Sequence, residues 1–120
     1  MSVINLTKGG FENRIAKIDR LAEGWHFLGE RPALIDFYAP WCGPCQRLMP
    51  TIEEVAQELD GKIDIYKVNV DDEQELADLF KIRSVPTLLF IPMDGEPLRA
   101  MGALPKAQLK EAIREHLGVE

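Results

Sequence analysis

Hydrophobic and polar positions along the chain follow two different periods, which predict alternating strands and helices. Strands are indicated where apolar residues run together or alternate with polar residues. The predicted strands cover residues 3–6, 34–39, 62–70, 87–91 and 98–101. Helices are indicated where apolar residues recur every three or four positions, at residues 11–21, 46–59, 72–80 and 105–117. This order predicts an α/β domain with one mixed sheet and helices on both faces.

Two helix boundaries are predicted from particular residues. The first helix should run from Phe11 to Leu21, because apolar side chains recur at helical spacing between them. Asp72, with Glu75 three residues later, has the pattern of an N-cap and predicts the start of the third helix. Residues 24–32 are predicted to form a connector between the first helix and the next strand.

Composition and charge narrow the class of protein. With 120 residues, of which 46% are hydrophobic and 28% charged, the chain predicts one globular domain over residues 1–120. No apolar run approaches the ~20 residues of a membrane span. The net charge of −6 and the scattered basic residues argue against nucleic-acid binding. Residues 1–7 lack a basic segment followed by an apolar one, so we expect a cytoplasmic protein, or an exported or periplasmic one if a leader has been removed.

Both cysteines of the chain lie in one short segment, Trp41-Cys42-Gly43-Pro44-Cys45, between a predicted strand and a predicted helix. Three interpretations are open. A structural disulfide closing so small a loop would contribute only about 2 kcal/mol. A metal site would need further ligands, and the two histidines of the chain are far apart in sequence. A redox pair needs nothing beyond these residues and is the interpretation we favour.

The predicted position of the pair supports redox chemistry. Cys42 should lie at the N-terminus of the helix, where free N–H groups and the helix dipole stabilise a thiolate over a thiol. Cys45, in the first turn, should be more buried. Pro44 suits this turn, because early helical positions do not use an N–H within the helix. Trp41 is expected to cover one side of the sulfur.

Residues 36–45, Asp-Phe-Tyr-Ala-Pro-Trp-Cys-Gly-Pro-Cys, resemble the active-site segment of the thioredoxin family, with its Trp-Cys-Gly-Pro-Cys core intact. Residues 67–71, 85–88 and 102–103, followed by residues 108–110, resemble later landmarks of the family in the same order. The match extends from about residue 33 to the C-terminus, whereas residues 1–32 are less typical. The combination is more specific than an isolated Cys-x-x-Cys motif.

The resemblance implies a thioredoxin fold, with a central five-stranded mixed sheet flanked by four helices. It implies that the protein is a dithiol–disulfide oxidoreductase that reduces protein disulfides through a mixed-disulfide intermediate. Cys42 corresponds to the nucleophile and Cys45 to the resolving thiol, and together they form the redox disulfide. Asp36 corresponds to a buried carboxylate that exchanges a proton with Cys45, and Lys67 to its neighbour.

The resemblance also implies a surface for substrates. Pro86 matches a cis-proline that faces the disulfide, and Gly102 matches a residue of the substrate groove. A cis-proline would leave the backbone of Val85 free to pair with an extended substrate segment. The residues expected to bind substrate are therefore Trp41, Gly43, Pro44, Val85, Pro86 and Gly102.

The family implies no bound cofactor and no metal. Reducing equivalents are expected from an NADPH-dependent thioredoxin reductase, and the other partners are disulfide-containing target proteins. We expect a monomer. His26 and His116 are expected to have no chemical role, and the acidic residues at 53–54 and 71–75 are expected to be solvated.

The chain departs from the family pattern at several positions near the expected site. Tyr38 replaces a common Trp, Gln46-Arg47 follows the motif where Lys is frequent, and Ile91-Pro92-Met93 ends its strand unusually. These departures concern the rim that binds targets. Three other functions stay open at this point. They are an oxidant or isomerase in an oxidising compartment, a binding module that uses the groove without turnover, and a thiolate metal site shared across a dimer.

Overall fold

The computed structural model describes residues 3–120, and Met1 and Ser2 lie outside the described residues. Five strands are present: β1 (Ile4–Asn5), β2 (Ala33–Tyr38), β3 (Asp64–Asn69), β4 (Thr87–Ile91) and β5 (Leu98–Met101). The α-helices are α1 (Lys8–Arg14), α2 (Gly43–Glu58), α3 (Gln74–Leu79) and α4 (Lys106–Leu117), and a 3₁₀ segment covers Ile18–Glu23.

The strands form one sheet in the order β1-β3-β2-β4-β5. The pairs β1–β3 and β2–β3 are parallel, whereas β2–β4 and β4–β5 are antiparallel. The central strand β2 is therefore paired on both sides, and its Asp36 lies opposite Lys67 on β3 and Leu88 on β4. The predicted five-stranded mixed sheet flanked by four helices is confirmed.

Helices cover both faces of the sheet, as the element order predicted. Because side chains of a strand alternate between faces, Leu34 and Asp36 point to one face and Ile35 and Phe37 to the other. We call the first the α2/α4 face, where Leu34 packs with apolar residues of α2 and α4. We call the second the α1/α3 face, where Ile35 and Phe37 pack with residues of α1 and α3.

The prediction of one continuous first helix is wrong. Helix α1 ends at Arg14, and a 3₁₀ segment begins only at Ile18. The Glu12 carboxylate accepts a hydrogen bond from the Ile18 N–H at 2.8 Å, which holds the chain in a turn. The apolar spacing continues across the break because three residues per turn, as in a 3₁₀ helix, also place apolar side chains on one side.

The predicted N-cap at Asp72 is also wrong. The Asn69 side chain accepts a hydrogen bond from the Asp71 N–H at 2.9 Å, and the Asn69 carbonyl accepts one from Glu73 N–H at 2.9 Å. These bonds form a turn after β3, so α3 begins at Gln74 without a side-chain cap. Asn and Asp side chains commonly close turns of this kind.

Charged side chains fix the end of α2 that lies away from the cysteines. Glu58 lies 2.5 Å from the Lys106 ammonium and 2.6 Å from that of Lys110, both on α4. Hydrogen bonds from these two lysines lower the pKa of Glu58 to about 2.

Within residues 3–120, the helices lack the combination of length and apolar content that a membrane span requires.

Candidate active site

Strand β2 and helix α2 position the two cysteines. Cys42 is the N-cap of α2, with extended backbone angles (φ −89°, ψ 113°), and Gly43 and Pro44 form the start of the helix. The Cys42 sulfur accepts a hydrogen bond from the Cys45 N–H at 3.1 Å. This N–H is one of those that a helix leaves without an intrahelical acceptor, so its contact with sulfur favours negative charge there.

Cys42 and Cys45 form a disulfide, with their Cα atoms 5.3 Å apart. Cys42 is 5% exposed and Cys45 is 1% exposed. The pair packs with Ala39 and with the partly buried Tyr38 and Val85. An outside sulfur can therefore approach Cys42 more easily than Cys45, although both residues are buried.

A second loop, before β4, lies against the disulfide. The Val85–Pro86 peptide bond is cis, and the Val85 carbonyl oxygen lies 3.7 Å from the Cys42 sulfur. The Thr87 hydroxyl donates a hydrogen bond to the Ser84 carbonyl at 2.7 Å, and the Gly102 N–H donates one to the Pro86 carbonyl at 2.9 Å. Loop residues 84–86 are thus held beside Cys42 from both ends.

An open groove of about 150 Å³ runs along this loop. Its walls are largely apolar, and Trp41 at one side is 71% exposed. The lining residues are Trp41, Val70, Ile82, Arg83, Ser84 and Val85. A groove of this kind beside an accessible disulfide can hold an extended peptide segment.

Trp41 is held in place by a carboxylate, and its expected cover of the sulfur stays a prediction. Its indole N–H donates a hydrogen bond to the Asp71 carboxylate at 3.1 Å. Because most of the indole is exposed, its ring offers a flat apolar surface to a partner. The turn after β3 therefore contributes to the groove through Asp71.

Asp36 is fully buried, with 0% exposure, on the α2/α4 face. Neither of its carboxylate oxygens has a hydrogen-bond partner among the residues that the structure describes. Burial raises the pKa of Asp36 to about 7, and the positive charge of Lys67 on the neighbouring strand opposes this shift. A carboxyl group with this pKa can both accept and donate a proton near neutral pH.

The structure brings together most of the residues expected at the site. Cys42, Cys45 and Val85 are in one packed cluster, and Asp36 lies opposite Lys67 in the sheet. Gly102, in a backbone conformation that favours glycine (φ +95°), is bonded to Pro86. Their catalytic and binding roles stay predictions.

Two residues at the site were noted in the sequence only as departures from the family. The Gln46 amide donates a hydrogen bond to the Pro40 carbonyl at 2.6 Å, which ties the loop before the cysteines to α2. The Arg47 guanidinium lies beside Gly43, with Nη1 3.4 Å from the position that a Cβ would take there. Their place directly after the motif was the available signal.

The two histidines lie on other elements. The ring of His116, on α4, packs edge-on against Phe90 at 5.5 Å. His26 lies in the connector after the 3₁₀ segment. Across residues 3–120, no group of three or more His, Cys, Asp or Glu side chains is arranged to hold a metal ion.

Comparisons with known proteins agree with this geometry. The family model described as Thioredoxin matches residues 2–115. A thioredoxin of Borreliella burgdorferi is 40% identical over 96% of this chain and 97% of its own length. A thioredoxin of Haemophilus influenzae is 48% identical over 72% of this chain and 80% of its own length.

A solved structure agrees as well. The crystal structure of chloroplastic thioredoxin z superposes with a TM-score of 0.76 at 31% identity, covering 96% of this chain and 94% of that chain. The fold, the cysteine pair and the relatives lead to the same conclusion. The chain belongs to the thioredoxin family of dithiol–disulfide oxidoreductases.

Proposed function

We propose that this protein reduces disulfides of target proteins in the cytoplasm, as a monomer, and is itself reduced by an NADPH-dependent thioredoxin reductase. The observation that carries this proposal is a cysteine pair at a helix N-terminus, beside a groove. The preceding strand β2 buries the carboxyl group of Asp36. Family membership supports both the reductase and the protein targets. A reductant of this kind suits a reducing compartment.

The first step uses the reduced protein. The Cys42 thiolate attacks one sulfur of the target disulfide, the target's S–S bond breaks, and the target's second sulfur leaves as a thiolate. A mixed disulfide between Cys42 and the target remains. The N-terminus of α2 and the Cys45 N–H stabilise the attacking thiolate.

The second step uses Cys45 and Asp36. Asp36 accepts the proton of the Cys45 thiol through a water molecule, and the resulting thiolate attacks the Cys42 sulfur. The mixed disulfide breaks, the target leaves as a second thiolate, and the Cys42–Cys45 disulfide forms. A pKa of about 7 suits Asp36 for this transfer, because the best general base has a pKa near the working pH.

Lys67 has an indirect role in this mechanism. Its positive charge keeps the pKa of Asp36 from rising further, so that a useful fraction of the carboxyl group is ionised near neutral pH. Lys67 lies directly opposite Asp36 in the β2–β3 register. It tunes the base and does not itself touch the reacting sulfurs.

The groove binds an extended segment of the target. The backbone of Val85 pairs with that segment as an added strand, and the exposed indole of Trp41 packs against it. Pro86 removes one backbone N–H beside Val85, and Gly102 leaves space at the far side of the loop. Gly43 and Pro44, which follow Cys42 at the start of α2, contact the segment next to the sulfur.

Insulin reduction with the wild-type protein and a chemical reductant tests the activity. We expect insulin precipitation at a rate proportional to protein concentration, and none with Cys42→Ser. Cys45→Ser should accumulate a mixed disulfide with its target, since the second step is blocked. Absence of insulin reduction by the folded wild-type protein would contradict the proposal.

The reduction potential tests the direction of exchange. Thioredoxin itself has a reduction potential of about −270 mV. We expect a similar potential for this protein when it is equilibrated with glutathione. A potential above about −200 mV would indicate an oxidant or isomerase of an oxidising compartment instead.

Replacing both cysteines by Ser separates turnover from binding, because a pure binding module would keep its cellular role in that variant.

A further inference from the structure

Two arginines lie at the rim of the active site. Arg47 is on α2, and its guanidinium lies beside Gly43, the residue that follows Cys42. Arg83 lines the groove together with Trp41 and Val85. Both side chains are exposed, and among residues 3–120 neither forms an ion pair or a side-chain hydrogen bond.

Some other cations on the surface are paired with carboxylates. Lys106 and Lys110 are paired with Glu58, and Arg31 is paired with Asp64. The chain as a whole has a net charge of −6, so basic residues are in the minority. Arg47 and Arg83 therefore place two guanidinium groups at the active-site rim of an acidic protein.

Acidic residues near the groove are partly engaged elsewhere. The Asp71 carboxylate accepts the Trp41 hydrogen bond at 3.1 Å. At the start of α3, Glu73 accepts a hydrogen bond from the backbone of Lys8 at 2.9 Å, and Glu75 forms an ion pair with the Lys8 ammonium at 3.0 Å. Of the carboxylates that follow the groove residue Val70, those of Asp71, Glu73 and Glu75 thus have partners. Asp72, by contrast, is exposed, and the pKa of Tyr38 is raised by its own burial and by the charge of Asp72.

We propose that this rim selects target segments that carry carboxylates next to their disulfide, and that Arg47 is the main residue that recognises them. This inference rests on the proposed reduction of protein disulfides. A guanidinium group binds a carboxylate through two parallel hydrogen bonds, which fixes the orientation of the partner as well as its charge. Charges at the rim of an interface act chiefly on the rate of association and on the choice of partner.

The position of Arg47 defines which part of the target it contacts. A target segment that places its sulfur at Cys42 and its backbone along Val85 must pass the start of α2. Arg47 lies one helical turn beyond Gly43 on the exposed side, so it meets residues adjacent to the target cysteine. Arg83, in the groove wall, meets the segment on the other side of Trp41.

Three disulfide-closed peptides test this inference. They are identical except for the two residues that flank one cysteine, which are Glu, Gln or Lys. With wild-type protein at low salt we expect kcat/KM to be about fivefold higher for the Glu peptide than for the Lys peptide, since an exposed ion pair contributes up to about a factor of five. The difference should largely disappear in about 0.5 M salt.

Arg47→Glu should invert the order of the peptides, so that the Lys peptide becomes the better substrate. Arg20→Glu is the matched control, because Arg20 is an exposed arginine on the 3₁₀ segment and its replacement changes net charge equally. We expect Arg20→Glu to keep the wild-type order. If Arg47→Glu does not fold, as judged by circular dichroism, Arg47→Gln serves instead and should make the three rates nearly equal.

Two results would overturn the inference. The ratio of Glu to Lys peptide rates could be the same in the Arg47 and Arg20 variants, which would show that only net charge matters. The Arg47 variants could also lose activity equally on all three peptides, which would place the effect on the Cys42 thiolate. Failure of wild-type protein to reduce any of the peptides would instead contradict the proposed function itself.

Discussion

The two faces of the sheet bury similar amounts of apolar side chain but differ in their polar content. On the α1/α3 face the rings of Phe11 and Phe37 lie 5.7 and 5.8 Å from that of Phe80. On the α2/α4 face the strand that carries Leu34 also buries Asp36, without a hydrogen-bond partner among the described residues. A buried carboxyl group of this kind lowers stability when it is ionised. The difference indicates that one face is built for packing and the other accepts a stability cost for chemistry.

The largest expected effect is a loss of activity at the cysteine pair, without a large change in stability. Cys42→Ser removes the attacking sulfur, so we expect no disulfide reduction above the uncatalysed background. The unfolding free energy of the reduced protein should change by less than about 1 kcal/mol, since the substitution is nearly isosteric. Insulin reduction and urea unfolding of the same samples measure the two quantities, and turnover by this variant would contradict the assignment of the nucleophile.

On the α1/α3 face we expect the opposite result, which is a loss of stability without a change in cysteine reactivity. Phe11→Ala should lower the unfolding free energy by about 3–5 kcal/mol, because it leaves a cavity beside Phe80. Phe11→Leu, which keeps most of the volume, should cost much less. The alkylation rate of Cys42 in the folded reduced protein should stay at the wild-type value in both variants. A large change in that rate would show that the two faces are coupled.

Asp36→Asn should raise stability and slow the reaction. Because the pKa of Asp36 is raised from 3.8 to about 7, the folded protein holds a proton that the unfolded chain loses between these values. The wild-type protein therefore loses stability as pH rises through this range, by up to about 4 kcal/mol. Asn carries no charge, so the variant should be more stable than wild type at pH 8 and nearly equal to it at pH 4.

The kinetic part of this prediction concerns the second chemical step. Without the carboxylate of Asp36, resolution of the mixed disulfide should slow by about 10²-fold at neutral pH, the lower range of general-base effects. Single-turnover measurements across pH separate this step from the first. Equal rates for wild type and Asp36→Asn at every pH would refute the proton transfer, whatever the change in stability.

The smallest effect on stability is expected in the loop between α3 and β4. Lys81, between α3 and the groove residues, has a positive φ of 54°, which disfavours residues with a Cβ. Lys81→Gly should raise the unfolding free energy by about 0.5 kcal/mol, after the greater entropy of glycine in the unfolded chain is included. Lys81→Ala keeps the strain and is the control. A gain in the Ala variant would place the effect in the lysine charge and not in the backbone.

The strands and the cysteine pair could be predicted from the sequence because their signals are local. Continuous apolar residues indicated β2, and the helical pattern of residues 46–59 placed Cys42 and Cys45 at the start of a helix. The break after α1 could not be predicted, since it depends on the Glu12 carboxylate reaching the Ile18 N–H. The turn made by Asn69 replaced the expected cap for a similar reason. Both errors concern side chains whose hydrogen-bond partner depends on the folded structure and cannot be read from the sequence.

The candidate site shows the same division. The resemblance implied a buried carboxyl group at Asp36, but not that the described structure would leave it without a donor. The hydrogen bond from the Trp41 indole to Asp71 could not be predicted, because Asp71 lies in the turn after β3, far from Trp41 in sequence. Arg47 had no assigned role, because its closeness to Gly43 arises from the turn of the helix and the rotamer of a long side chain.

Pro50, in the middle of α2, affects how the two ends of this helix respond to each other. A proline has no N–H to give to the carbonyl of Gln46, so the ladder of main-chain bonds is interrupted there. The half beyond the proline is anchored to α4 through Glu58. The half before it bears both sulfurs and is tied to the preceding loop through Gln46. The first turns of α2 can therefore adjust their geometry when the cysteine pair is oxidised or reduced. The sheet and the second half of α2 keep their shape through many redox cycles.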